Sequence, residues 1–323
     1  MTKSHDELEL GQFIPFHYHY HMLNDSTRVA GFKSAIEHVV RPGARVLELG
    51  GGTGILSFFA ARQGARVWCV ERNPRLVHEA RKTLARNHFP GEVEVIEADA
   101  FDYLPPEPVD VVICEMIHVA MLREKQIQVI SSFKQRYLGK FGGPLPLFLP
   151  EAFIQAVQPV HQSFNFEGYY APAPMFQDPL ATQSRTWELG QPVVYQSASY
   201  ADDLPAHCDW EVELGMAHAG TLNALRFITK NILAILPLQG SSIDWHSQYL
   251  VVPLEQSFQV ENGQNIRIRF NCAPGDPLDA LQPEVFSCQA QSPAPPCRSY
   301  ARPQSVGALL PPDSGATPDS PGY

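Results

Sequence analysis

Cysteine is scarce in this 323-residue chain and badly spaced for metal or disulfide chemistry. The six cysteines, at 69, 114, 208, 272, 288 and 297, form no C-x-x-C pair. They fall mostly in apolar strand-like runs, as buried free thiols do, so neither a zinc site nor a disulfide framework is expected. Basic clusters are also missing. No run of five basic residues occurs, and 24 Lys and Arg against 34 Asp and Glu leave a net charge of −10. That sign disfavours nucleic acid, whose backbone is held by clustered Lys and Arg, and favours a cationic partner or substrate. There is no uninterrupted apolar run of membrane-spanning length. The greasiest stretch, residues 222–238, is broken by Arg226 and Lys230, and the first nine residues lack the apolar core of a signal peptide. A cytoplasmic protein without membrane contact is the expectation.

What is present divides into two patterns and a tail. Length alone predicts about two domains. In the first half, strand-like runs at 45–49, 66–70, 92–96 and 109–114 alternate with helical segments at 54–63 and 74–88. The second helix carries Leu76, Val77, Ala80 and Leu84 at helical spacing. Repeated β-α units predict a parallel sheet with ligands at the carboxyl ends of its strands. From about Pro150 the runs become short and alternating, at 153–157, 193–195, 210–214, 225–228, 249–252 and 266–270, parted by Gly, Pro and Asn. Many short strands with turn signals predict a sandwich or barrel. The predicted domains are therefore 1–150, 151–290 and a Pro-rich, disordered tail over 291–323.

The most informative segment is residues 46–54, Val-Leu-Glu-Leu-Gly-Gly-Gly-Thr-Gly, where an apolar strand meets glycines spaced by two and then a helix. Glycine lets a ligand lie against the main chain at a helix N-terminus. A dinucleotide fingerprint needs a third small residue at position 55, where Ile55 stands. The pattern is instead Glu48-x-Gly50-x-Gly52-x-Gly54, and the next strand ends in Glu71, a carboxylate placed to receive a ribose diol. This reads as an S-adenosylmethionine site and closely resembles the first motif of the class I methyltransferases. The fold it implies is a Rossmann-like doubly wound sheet, with residues 46–54 cradling the methionyl part and Glu71 the ribose. Asp99 and Ala100, ending the third strand, would meet the adenine edge.

Three further segments resemble the protein arginine methyltransferases over about residues 12 to 290. Residues 17–28, with His19, Met22, Leu23, Asp25 and Arg28, resemble that family's N-terminal lid helix. The resemblance implies that Arg28 pairs with the methionyl carboxylate, His19 hydrogen-bonds nearby and Met22 packs on the sulfonium face; a guanidinium fork suits a carboxylate. A metal at His17 and His21, four apart, is the competing reading, with no third ligand evident. Residues 109–124 look like the family's double-glutamate hairpin. Glu115 matches its first glutamate, and Glu124 lies nine residues on, the family's interval. In an alternative alignment Val119 takes the place of the second glutamate and Glu124 becomes a first-turn helix residue. Residues 244–255 resemble the barrel-domain loop that reaches back to the active site. His246 falls on that loop's histidine, preceded here by Trp245 and followed by Ser247. A near-neutral histidine there could relay a proton.

The resemblance thus implies a methyltransferase with a C-terminal β-barrel, S-adenosyl-L-methionine as cofactor, and Glu115, Glu124 and His246 as candidate catalytic residues. The acceptor expected is a guanidino or other nitrogen nucleophile on a protein or peptide. The alternatives are a small molecule methylated on N, O or C in a biosynthetic pathway, and a non-catalytic scaffold that binds the cofactor. Two departures bear on partners. The family's Tyr-Phe-x-x-Tyr motif is absent upstream of His19, and its dimerisation arm is replaced by the short, Pro-rich stretch 166–175. A monomer, or a dimer without the usual arm, is expected.

Overall fold

A computed structural model of the chain describes residues 16–289. The tail expected to be disordered, with Cys297, lies outside the described residues. Helices α1 (Phe16–Asn24) and α2 (Ser26–Val39) come first. Asp25 caps α2, its carboxylate accepting the Arg28 N–H at 2.9 Å. A five-stranded parallel sheet follows, built from β1 (Arg45–Leu49), β2 (Arg66–Glu71), β3 (Glu92–Glu97), β4 (Val111–Cys114) and β5 (Leu147–Leu149) in the order 3-2-1-4-5. The crossover helices are α3 (Ile55–Arg62), α4 (Pro74–Leu84) and α5 (Gln126–Phe141). The helix expected over 74–88 stops at Leu84, its last buried apolar residue, where Asn87 turns its side chain onto the Thr83 carbonyl at 2.9 Å. The chain steps outward from β1 to β3 on one side and resumes at β4 on the other. The crevice beyond the carboxyl ends of β1 and β4 is therefore where such a sheet places its ligand.

After β5 the pairing becomes antiparallel. The elements are β6 (Ala152–Gln162), β7 (Asn165–Phe166), β8 (Tyr169–Tyr170), β9 (Met175–Gln177), β10 (Thr186–Glu188), β11 (Val193–Ser199), β12 (Cys208–Gly215), β13 (Gly220–Leu236), β14 (Ser241–His246), β15 (Tyr249–Val260), β16 (Asn265–Cys272) and β17 (Glu284–Gln289). Seven of them form one sheet around β6 and the 17-residue β13, while β12, β16 and β17 form another. Their inner faces share a core that includes Leu214, Leu222, Phe227, Ile268 and Phe270. The barrel expected here takes this form: among the described residues no strand of the small sheet pairs with the large one, so the ladder does not close. Short β7 and β8 pair only with each other, at the place of the missing arm.

The parallel and antiparallel parts are sewn together by one hydrophobic cluster. It joins Ile113, Phe133 and Phe148 of the first to Phe153, Leu233 and Trp245 of the second, with Phe32 of α2 between. Among the described residues no helix is long and apolar enough to cross a membrane.

Candidate active site

The glycine turn after β1 is shaped by its own backbone. The Gly50 and Gly51 N–H groups donate to the Val70 carbonyl at 2.9 and 2.8 Å, tying the turn to the end of β2. Gly52 and Gly54 sit at φ +53° and +81°, a region L side chains avoid. His19 of α1 lies over Gly52, its Nδ1 3.4 Å from where a Cβ would stand. Gly54 is behind the cleft, packed on Leu84 and Ala80 of α4. Glu48 points under the turn, where its carboxylate accepts the Ser57 N–H at 2.9 Å and the Ser57 hydroxyl. Burial pushes that carboxyl up to about 7, against those hydrogen bonds.

Glu71 is held by two backbone donors, Gly52 N–H at 2.9 Å and Asn73 N–H at 2.8 Å, one on each oxygen. Each oxygen keeps a lone pair for a hydroxyl. Asp99 accepts Phe101 N–H at 2.9 Å and pairs with Arg72 at 3.0 Å, with Ala100 beside it on the wall. The cleft encloses about 1430 Å³, more than the ~300–1,000 Å³ usual for one small ligand. It has room for two reactants. His19, Met22, Arg28, Glu48, Gly50, Gly52, Glu71, Asp99, Ala100, Glu115, Glu124 and His246 all line it. His17 and His21 line it as well, but no metal-holding cluster of His, Cys, Asp or Glu occurs among the described residues.

The loop between β4 and α5 supplies the two carboxylates. Glu115 forms an ion pair with Arg28, and both side chains are under a tenth exposed (8% and 9%). Glu124 comes back to the same cleft, and Val119 lines it too while also packing into the core of the antiparallel part. The Glu124 carboxyl is pushed up to about 8, by burial first and by the charge of Glu115 second, with Arg28 and Arg123 opposing. Two residues that sequence reading passed over organise this loop. Gln126 is buried and bridges the strand end, donating to the Cys114 carbonyl at 2.7 Å and accepting the Met116 N–H at 2.9 Å. Glu115 is the residue between. Thr229 on β13 accepts the Ala120 N–H at 2.8 Å. Neither has a sequence signal, because each acts on a segment distant in the chain or through a side chain no motif marks. His118, in the same loop, packs edge-on to Phe176 at 5.3 Å, and burial holds its imidazole down at about 4.

His246 ends β14 on the far wall and is exposed. Partial burial and Lys230 lower its pKa while Asp244 opposes; Lys230 and Asp244 are themselves paired at 2.6 Å. It shares the cleft with the glutamates without contacting them.

Several buried polar atoms of residues lining the cleft have no partner within the protein: His19 Nε2, Arg28 Nε, Asp244 Oδ1, Trp245 Nε1 and Ser247 Oγ. Orphans gathered at one cleft mark places where a polar ligand completes the bonding. With the diol-ready Glu71 and the turn that leaves no Cβ above Gly52, the residues fit S-adenosylmethionine. His19 and Arg28 would hold the amino acid end, residues 50–52 would lie along it and Glu71 would hold the ribose. The bound cofactor supplies a methyl group on a cationic sulfonium.

Comparison with known proteins agrees. A family model described as a methyltransferase domain matches residues 46–137. An uncharacterized protein of Methanocaldococcus jannaschii is 27% identical over 265 residues, covering 82% of this chain and 95% of that one. A probable protein arginine N-methyltransferase 6.1 of rice (Oryza sativa subsp. indica) is 30% identical over 167 residues, covering 51% of this chain and 43% of the rice protein. The Trypanosoma brucei PRMT1 enzyme-prozyme heterotetrameric complex, solved with AdoHcy, contains a chain of the same fold, with a TM-score of 0.66 at 18% identity, covering 80% of this chain and 88% of that one. The chain is a class I S-adenosylmethionine-dependent methyltransferase that resembles the protein arginine methyltransferases.

Proposed function

We propose that the enzyme methylates a nitrogen of a guanidino group, carried by a protein or peptide, with residues up to about 150 holding the cofactor and residues 151–290 shaping the acceptor side. The observation that carries this is the carboxylate pair. Glu115 and Glu124 both line the cleft, and burial, reinforced by the charge of the first, keeps the second protonated to about pH 8. Arg28 is ion-paired with Glu115, whereas among the described residues no ion pair reaches Glu124, so a planar cation with several N–H donors is the ligand that balances the second carboxyl.

The chemistry follows from the groups present. A guanidinium is a poor nucleophile, so a nitrogen must be held in line with the methyl and its charge balanced as the new N–C bond forms and the C–S bond breaks. Glu115, fixed by Arg28 and by the Gln126 bridge, orients the acceptor. Glu124 takes up the second edge in its ionised form. The proton shed by the methylated nitrogen passes to a carboxylate, and His246, neutral at pH 7 because burial and Lys230 lower its pKa, relays it to solvent.

The test separates binding from chemistry. Glu115→Gln is expected to lower turnover by about two or more orders of magnitude while leaving S-adenosylhomocysteine affinity, read by calorimetry, nearly unchanged. A variant at full rate would remove Glu115 from the mechanism.

A further inference from the structure

The loop that carries the two glutamates is bent in a way its residues resist. Ala120, Met121 and Arg123 sit at φ 57°, 55° and 63°, the left-handed region that residues with a Cβ avoid, and none of the three is glycine. Within the segment the backbone bonds are tight turns only, from Met121 N–H to the His118 carbonyl at 3.0 Å, from Leu122 N–H to the Val119 carbonyl at 3.3 Å and from Glu124 N–H to the Leu122 carbonyl at 2.7 Å. The restraint comes from the antiparallel part. Thr229, fully buried on β13, accepts the Ala120 N–H at 2.8 Å. The loop after β16 adds two backbone bonds: Gly275 N–H donates to the Met121 carbonyl and Arg123 N–H to the Asp276 carbonyl, each at 2.7 Å. That loop is itself braced, because Asp276 accepts the Ala273 N–H at 2.7 Å.

We propose that Thr229 is a positioning residue: its hydroxyl, with the backbone of Gly275 and Asp276, clamps the left-handed bend so that Glu124 returns to the cleft wall beside Glu115. The proposal rests on the reading of the two carboxylates as the acceptor site. Without the Thr229 oxygen the Ala120 N–H is buried and unpaired, and the strained bend has one restraint fewer. The segment then relaxes toward right-handed dihedrals, and Glu124, the residue directly after the bend, leaves its place. The cofactor turn at residues 50–54 has no bond to Thr229 and keeps its geometry.

The full chain with Thr229→Val, which keeps shape and removes the acceptor, is compared with Thr229→Ser, which keeps the oxygen. Free L-arginine and an arginine-containing peptide serve as probes. Thr229→Val is expected to lose roughly 100-fold in kcat, the scale of a small misplacement of reacting groups, with S-adenosylhomocysteine affinity within about twofold of wild type; Thr229→Ser stays close to wild type. Amide hydrogen exchange gives a second readout that needs no substrate: residues 119–124 lose protection in Thr229→Val while residues 46–71 do not. Equal effects of Val and Ser, or unchanged protection at 119–124, overturn the clamp. If wild type methylates neither probe, the guanidino reading fails while the exchange data still decide the clamp. If Thr229→Val does not fold, it is combined with Ala120→Gly, because glycine adopts φ 57° freely. Folding restored in the double variant supports the clamp, and folding lost in both overturns it.

Discussion

Glu124 keeps its proton to about pH 8 because burial and the charge of Glu115 outweigh the pull of Arg28 and Arg123. A cation bound between the two carboxylates favours the ionised form, so binding expels that proton. The sign follows: below about pH 8 acceptor binding must displace a proton and weakens as pH falls, whereas above it binding is flat. Calorimetry with free L-arginine on S-adenosylhomocysteine-loaded enzyme is expected to show affinity rising about fivefold between pH 7 and 8 and levelling off at about tenfold the pH 7 value well above pH 8. Glu124→Gln should abolish that slope; a slope that survives it would place the proton elsewhere. At this scale the sequence was informative where an interval or a neighbour in the chain carried the signal. The nine-residue spacing from Glu115 to Glu124 was visible, as was Glu71 at the end of its strand. Gln126, Thr229 and His118 were not. Each gains its role from a partner that only folding supplies, the β4 end, the Ala120 amide and the Phe176 ring respectively.

Elements were legible in proportion to how local their causes are. The turn at residues 50–54 is dictated by glycines that must be glycines, and the helix-strand alternation around it follows from apolar spacing. A Cβ at Gly51 would collide with Cys69 Sγ on β2, a clash with a fully buried side chain. Gly51→Ala is therefore expected to cost about 1–3 kcal/mol, a fall of several degrees in Tm for a chain this size, with cofactor affinity falling in step. Calorimetric melting with and without S-adenosylhomocysteine checks both, and a variant as stable as wild type would mean that the turn has slack. The antiparallel part was harder to read. Its strands were placed, yet β13 runs from Gly220 through Leu236 with pairing shifts against both β14 and β15. Which strands meet, and that the two sheets share a core without closing a ladder, depends on contacts far apart in sequence.

Across the whole molecule, the buried titrating groups set how stability responds to pH. Glu48 and Glu124, raised to about 7 and about 8, bind more protons folded than unfolded, so each loses stability as pH climbs from the unfolded carboxyl value through its folded one. His19, His118 and His246 are lowered and lose stability as pH falls below their unfolded value near 6.5. The two trends oppose below pH 6.5, and above it only the carboxylates act. Tm should therefore decline between pH 6.5 and 8.5, and Glu124→Gln should flatten that decline while lowering turnover; a flat wild-type profile would contradict the burial of both carboxyls. In the proposed reading, Glu124, one of the two carboxyls that cost stability, is also the group that meets the acceptor cation. The acceptor is read most directly from the product. Wild-type enzyme incubated with a methyl-labelled cofactor and an arginine-containing peptide, followed by complete hydrolysis and amino acid analysis, is predicted to yield label in methylarginine, at a rate lower by about two or more orders of magnitude with Glu115→Gln. Label recovered only outside a guanidino group would contradict the account.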